Sequence, residues 1–355
     1  MKQRLEALRA NLRKDGLDAA LVTSGVNIRY YSGFTSPDGI LLVTQNDAYL
    51  VTDFRYTIQA KAQTNGCARV VETTYAEQLN ALRGFLSGDG CKRCAFEQDN
   101  LSVGAFKSYS EFPVEWVPFQ ETITLPRLYK SADEIASLQA AQRIADRSYA
   151  EWLTRIHAGM TELEATAELN YVCAKNGSEG PSFDPIVAGG PNGAMCHAVP
   201  GERKLQNGDL VVTDFGCVKN GYHSDMTRTF GVGSIDEKSK AIYEIVRTAQ
   251  QIALDALTNG ITGKALDAAA RDYIASKGYG EAFGHSLGHG FGLEIHEQPR
   301  ASVTSTDTLT AGMTITVEPG IYVENLCGVR IEDCCVVTET GHLNLVSSPK
   351  ELICI

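Results

Sequence analysis

The chain has 355 residues, 43% of them apolar and 21% charged, and a formal net charge of −11 at pH 7. That length suits two domains rather than one, and the composition is ordinary for a globular protein, which excludes a disordered or collagen-like chain. The acidic excess excludes a general affinity for nucleic acid or an anionic membrane, because both require a basic face.

The first residues, MKQRLEALRANLRKDGLDAALV, carry charges throughout, with Leu5, Leu8 and Leu12 at helical spacing. A helix over 2–14 is expected there rather than a secretory leader, which needs an unbroken apolar stretch. Apolar runs predict strands over 18–23, 40–44 and 48–52, the last two joined by Gln45-Asn46-Asp47. Helices are expected around 55–64 and 76–87, and 113–126 reads as a strand followed by a linker. Together these elements make a first α/β domain over 1–126. No run of about 18 apolar residues occurs, so no membrane-spanning helix is expected. The ten scattered cysteines read as reduced thiols of a cytoplasmic protein. Cys91-Lys92-Arg93-Cys94 is a lone CxxC without the second ligand pair that zinc would require.

A second domain, 131–355, opens at Ser131-Ala132-Asp133-Glu134, a capping-box pattern, and contains an internal repeat. Gly159-Met160-Thr161 opens a helical segment that ends at Gly177. Gly260-Ile261-Thr262 opens another of the same length, ending at Gly278. Each follows a helical stretch, 133–157 and 237–258. GDLVVTDFG, from Gly208, then matches GMTITVEPG, from Gly312. Both are glycine-bounded strands with a carboxylate at the seventh position, Asp214 and Glu318. Each leads to a second strand with another carboxylate, Asp225 and Glu332. The domain is therefore expected to hold two pseudo-symmetric helix-helix-strand-strand halves, each supplying an acidic pair.

Lys219-Asn220-Gly221 between the first two strands is a hairpin signal. A four-residue loop, 218–221, would set Asp214 directly across from Asp225. A two-residue Asn-Gly loop would make them diagonal neighbours on the same face. Either way two carboxylates lie close together in an apolar hairpin, where like charges repel unless one is protonated or a cation intervenes. The second pair repeats the problem, and facing hairpins would gather four carboxylates. Hard divalent cations take oxygen ligands, and four carboxylates with an imidazole suit two metals about 3.5–4 Å apart. The imidazole is sought in FGHSLGHGFGLEIHE, residues 283–297, where His285, His289 and His296 fall among glycines that allow close backbone approach. Arg330, two residues before Glu332, is read as a counter-charge to the carboxylates or as a substrate contact.

These stretches, with SFDPIVAGGPN and HAVP upstream, resemble the pita-bread metallopeptidases aminopeptidase P, prolidase and methionine aminopeptidase over essentially the whole chain. DFGCVKNGYHSDMTRTF, GHSLGHGFGLEIHE, TVEPGIYV and GVRIEDCCVV together fill all five metal-ligand positions of that family. The N-terminal domain, with VTDFRY, resembles the creatinase-like extra domain of aminopeptidase P and prolidase, which methionine aminopeptidase lacks.

The resemblance implies that Asp214 and Asp225 hold one metal, that Asp225 and Glu332 bridge, and that His289 and Glu318 complete the second site. It also implies attack by a metal-bridging hydroxide, with Glu318 handling its proton. His197 and His296 match the substrate-facing histidines, which would hydrogen-bond the oxyanion or leaving group and shuttle protons, and His285 matches a third pocket histidine. Met195-Cys196 stands where the family often has Leu-Pro. The implied activity is that of an Xaa-Pro aminopeptidase, acting on peptides with proline in the second position. An Xaa-Pro dipeptidase is the alternative. A catalytically inactive peptide-binding protein is a further one, against which the intact ligand set argues. Mn²⁺ is the expected metal, with Co²⁺ or Zn²⁺ also suited to an oxygen-rich site, and a homodimer is the expected assembly.

Overall fold

The computed structural model describes residues 1–355, which divide into two compact units, Met1–Arg127 and Leu128–Ile355. In the first unit, helix α1 (Lys2–Lys14) buries Leu5, Leu8 and Leu12, the stripe its spacing predicts. It leads to β1 (Ala19–Val22), α2 (Gly25–Ser32) and the hairpin of β2 (Ile40–Thr44) and β3 (Ala48–Thr52). Then come α3 (Thr57–Thr64), β4 (Arg69–Glu72), α4 (Gln78–Gly88), β5 (Arg93–Phe96), α5 (Val103–Tyr109) and β6 (Glu115–Pro118). The strands form one mixed sheet in the order β4-β3-β2-β1-β5-β6. β1, β2 and β3 are buried along their whole lengths, which is why they read as continuous apolar runs rather than alternating ones.

Where a linker is expected after β6, the chain forms a short helix, α6 (Gln120–Thr124). Tertiary bonds hold it there: the buried Tyr31 hydroxyl donates to Ile123 O at 2.5 Å, and the Thr122 hydroxyl donates to Asp15 Oδ2 at 2.7 Å. Helix α2, unforeseen from the sequence, is eight residues long and ends at Gly33 in the left-handed region (φ +81°). It is too short for a periodic signal. Cys91 and Cys94 are buried, Cys94 on β5, and burial raises both thiols, so neither is poised for redox work.

The second unit contains the repeat. Helix α7 (Ala132–Leu153) starts with the expected capping box, Ser131 with Glu134, and is followed by α8 (Glu162–Lys175), β7 (Ile186–Gly189), β8 (Leu210–Phe215), β9 (Val218–Lys219), β10 (Tyr222–His223) and β11 (Met226–Gly231). The second half begins with α9 (Glu237–Ala256) and α10 (Gly263–Ser276). It continues through β12 (Gly288–Gly290), β13 (Glu297–Ala301), β14 (Thr314–Val317), β15 (Gly320–Val323), β16 (Cys327–Arg330), β17 (Asp333–Thr338) and β18 (Gly341–Asn344).

The two halves match in local detail. Thr161 caps α8 by accepting from Glu164 N, and Thr262 caps α10 by accepting from Ala265 N. Gly177 and Gly278 follow those helices at φ +99° and +87°. Gly159 N donates to Leu205 O, and Gly260 N to Leu309 O, both at 2.8 Å. Each half also has its own core. Trp152, Tyr149, Phe215 and Phe230 fill the first, and the α9 stripe Ile242, Val246, Ala249 and Ala253 packs into the second. Full burial of each large aliphatic side chain is worth about 1.5–3 kcal/mol. The strands that lie beside the four carboxylates fall in two separate three-stranded sheets, β11-β8-β7 and β14-β17-β18. No helix is long and apolar enough to cross a membrane.

Candidate metal centre

The loop between the first pair of strands takes the two-residue form. β9 and β10 pair Lys219 with Tyr222, and the intervening Asn220 and Gly221 sit at φ +52° and +73°, as a type I′ turn requires. In that register Asp214 faces Thr227 across the ladder, so Asp214 and Asp225 are diagonal neighbours. Close approach here depends on Gly216. A Cβ on it would lie 1.8 Å from Ser224 O, so no larger residue fits beside Asp225.

The second pair differs. Val317 pairs with Asp333 and Gly320 with Arg330, which sets Glu318 directly opposite Glu332. Their N–H groups bond outward instead, to Leu287 O and Thr227 O. The second of these bonds joins the two hairpins, and the Thr227 hydroxyl reinforces it by donating to Glu332 Oε2 at 2.7 Å.

His289 comes in on β12, flanked by glycines. A Cβ on Gly288 would meet Thr316 O at 1.9 Å, so only glycine lets this strand approach β14 so closely. The His289 Nδ1 bonds Gly290 O at 3.0 Å, which places its proton there and leaves Nε2 as a lone pair. That lone pair faces Asp225 Oδ2 at 3.5 Å and Glu318 Oε1 at 3.4 Å. Ligand atoms of Asp225, His289 and Glu332 all lie within 4.8 Å of one another, and all three residues are buried.

The electrostatics of this cluster are those of a cation site. Burial raises the carboxyls of Asp225 and Glu332 well above the usual range. Neighbouring carboxylates push them further: Glu332, Asp214 and Glu318 act on Asp225, and Glu318 and Asp214 on Glu332. Burial pushes Glu318 up to about 8, with Asp214 adding to the rise. Burial holds the His289 imidazole down at about 3, so it is a neutral donor at pH 7. Asp214 Oδ1 is buried without a hydrogen-bond partner. An orphaned carboxylate oxygen, repelling acids and a neutral imidazole lone pair fit hard divalent ions.

Arg330 offsets part of this charge. Its guanidinium donates to Asp214 Oδ2 at 2.6 Å, Tyr322 Oη at 2.7 Å, Thr227 Oγ1 at 3.0 Å and Cys196 O at 3.2 Å. With four of its N–H groups bonded within the protein, the geometry favours the counter-charge role over the substrate contact. His285 is similarly occupied: Nδ1 bonds Ser286 O at 2.7 Å and Nε2 bonds the Tyr322 hydroxyl at 3.0 Å. Burial, then the charge of Arg330, lowers it to about 4. Neither ring nitrogen is left for a substrate. His197 and His296 do face the open space, and His296 stacks edge-on against His289 with ring centroids 4.4 Å apart.

All five expected ligands line one cavity of about 580 Å³, together with His197, His285, His296 and Arg330. Phe183, Pro185, Ile186, Val199 and Ile295 form its apolar side. Two residues here carried no signal in the sequence. Tyr322 links Arg330 to His285, and Arg300 reaches the cavity from β13. The Arg300 guanidinium has no hydrogen-bond or ion-pair partner. Its backbone is fixed, with the N–H donating to Asp307 Oδ2 and the carbonyl accepting from the Ser305 hydroxyl.

Comparison with known proteins gives the same outline. Residues 136–339 match metallopeptidase family M24, and residues 4–128 match the creatinase/prolidase N-terminal domain. An Xaa-Pro dipeptidase of Pyrococcus furiosus is 37% identical, covering 99% of this chain and all of its own. The solved structure of an Xaa-Pro dipeptidase from Bacillus anthracis superposes with a TM-score of 0.96 at 39% identity, covering 99% of both chains. An X-Pro aminopeptidase from Thermotoga maritima superposes with a TM-score of 0.92 at 36% identity, covering 98% of this chain and all of its own.

Proposed function

Because the chain belongs to metallopeptidase family M24, we propose that it is an Xaa-Pro dipeptidase, with 131–355 as its catalytic domain and 1–126 as its N-terminal domain. The sequence motifs point first to an aminopeptidase. The dipeptidases among the relatives support the alternative better. The observation that carries the choice is Arg300, an unpaired cation on the wall of a cavity whose other cation, Arg330, is already bonded to Asp214, Tyr322, Thr227 and Cys196. A dipeptide brings a free carboxylate within one residue of the scissile bond, and a guanidinium binds a carboxylate in a planar fork. A longer peptide has an amide there and leaves the cation unmatched.

Asp214, Asp225, His289, Glu318 and Glu332 are the residues that would hold two divalent ions, which would supply a Lewis acid for the scissile carbonyl and a water acidic enough to attack near neutral pH. Glu318 Oε1 lies 3.4 Å from His289 Nε2 at the edge of the same cavity, where its carboxylate would be placed to take up and return the proton of the attacking water. Burial, then Arg300, lowers His296. A neutral His296 donates an N–H to a developing oxyanion without bringing charge, and His197 is placed to donate to the leaving proline nitrogen. Mn²⁺ is our choice of metal for this oxygen-rich set. The unpaired cysteines suit a reducing cytoplasm, and the family resemblance carries the proposed homodimer.

The test is hydrolysis of an Xaa-Pro dipeptide against the same sequence extended by one residue. The dipeptide is expected to be cleaved with the higher kcat/KM, by about tenfold or more. Arg300→Ala should raise KM for the dipeptide about 10–100-fold, the loss of one charge-assisted pair. Preference for the longer peptide, undisturbed by Arg300→Ala, would make the aminopeptidase reading the right one.

A further inference from the structure

We infer that Arg228 is a positioning residue: a buried strut that holds the Glu332 strand against the Asp225 strand and so assembles the ligand cluster before any ion binds. The inference rests on reading Asp225 and Glu332 as metal ligands.

Arg228 lies on β11, three residues beyond Asp225, and its side chain is 2% exposed. All of its N–H donors meet oxygen. Nε bonds Pro349 O at 3.0 Å, Nη1 bonds Thr227 O at 2.9 Å and Glu332 O at 2.6 Å, and Nη2 bonds Asp333 Oδ1 and Ser348 O at 2.8 Å each. It reaches neither the cavity nor a ligand side chain. What it binds is the backbone of one ligand and the carboxylate of the next residue.

Glu332 is thereby held at three points. Its N–H bonds Thr227 O at 3.1 Å, its carbonyl accepts from Arg228, and its carboxylate accepts from the Thr227 hydroxyl. Asp333 is braced in turn from three other places. Its Oδ2 accepts from Gln250 on α9 at 2.9 Å, Asn344 on β18 at 2.8 Å and Lys350 at 3.1 Å.

This bracing is needed because β11 and β17 belong to different sheets and share no ladder, while Asp225 and Glu332, the residues just before them, repel one another. A few side-chain and backbone bonds must therefore fix the spacing that the ions require. Only a planar guanidinium can serve four carbonyls and a carboxylate from one buried point. A lysine ammonium has three donors and no fork.

The experiment is a calorimetric titration of Mn²⁺ into metal-free full-length protein, with melting temperature recorded alongside. Arg228→Lys and Asp333→Asn are compared with wild type and with Asp146→Ala. Asp146 anchors the same segment, through Ser347 and Ser348, but touches neither hairpin. Both strut variants should bind Mn²⁺ about 10–100-fold more weakly, while Asp146→Ala binds like wild type even where it melts earlier. If Arg228→Lys does not fold, Asp333→Asn decides alone. Wild-type affinity in the folded strut variants overturns the strut and leaves the ligand assignment standing. So does an Asp146→Ala variant that loses affinity in step with its melting temperature. A wild-type protein that takes up no Mn²⁺ overturns the ligand assignment first, and the strut with it.

Discussion

Stripping the metal should make this protein's stability fall as pH rises, the reverse of ordinary carboxylate behaviour. Glu318 has its metal-free folded pKa raised from 4.5 to about 8, and Asp225 and Glu332 are raised in the same direction. A group raised on folding binds its proton more tightly in the native state, so its contribution is fully present below the unfolded pKa and is lost as pH climbs through the folded one. For Glu318 the whole shift is worth on the order of 5 kcal/mol, of which about 2 kcal/mol falls between pH 6.5 and 8. The buried histidines act in the opposite sense. His285 and His289 are lowered to about 4 and about 3, so their contribution is lost as pH falls from about 6.5, and they are silent above it. The window from pH 6.5 to 8 therefore reports chiefly on the acids, because the thiols that burial raises contribute only above it. In a domain of this size 2 kcal/mol corresponds to about 4–8 °C in Tm. Scanning calorimetry of chelated protein should show at least that drop, Glu318→Gln should reduce it, and saturating Mn²⁺ should abolish it. A metal-free Tm that is flat or rising across the window would refute the claim that these acids crowd one another.

His289→Ala removes the neutral imidazole donor and should abolish turnover while leaving the far-ultraviolet circular dichroism unchanged; an active variant would rule His289 out as a ligand. Tyr322→Phe takes a bonding partner from both Arg330 and His285 and should cost about 1–3 kcal/mol in urea unfolding, because a buried charged donor is left short. A loss near zero would mean water replaces the hydroxyl. Trp152→Ala, far from the chemistry, removes a fully buried ring and its Nε1–H bond to Ala165 O. About 3–5 kcal/mol of stability should go with it, with kcat/KM of the folded fraction unchanged.

What the sequence disclosed was local and periodic. The cap at Ser131, the helix openings at Gly159-Met160-Thr161 and Gly260-Ile261-Thr262, the glycines that end α8 and α10, and the β-branched runs leading to Asp214 and Glu318 each depend on residues a few positions apart. The register of the first hairpin stayed open until the left-handed Asn220 and Gly221 chose the short turn. The two halves then proved unequal, one acidic pair diagonal and the other directly opposed, a difference that matching strands cannot reveal. Tyr322 and the Arg228–Asp333–Lys350 network went unseen because their meaning lies in partners up to about a hundred residues away, and Arg300 because its meaning lies in the cavity it lines. An arginine in QPRA or a tyrosine in GIYV looks ordinary until the fold brings the one to the cavity wall and the other between Arg330 and His285.

The central claim, that two duplicated hairpins crowd acids at one point which divalent ions make tolerable, is tested most directly by a crystal structure of Mn²⁺-soaked protein recorded with anomalous scattering. The account predicts two anomalous peaks per chain, both within bonding distance of Asp225 and Glu332, with His289 Nε2 on one of them. Peaks elsewhere, or none at saturating Mn²⁺, would contradict it.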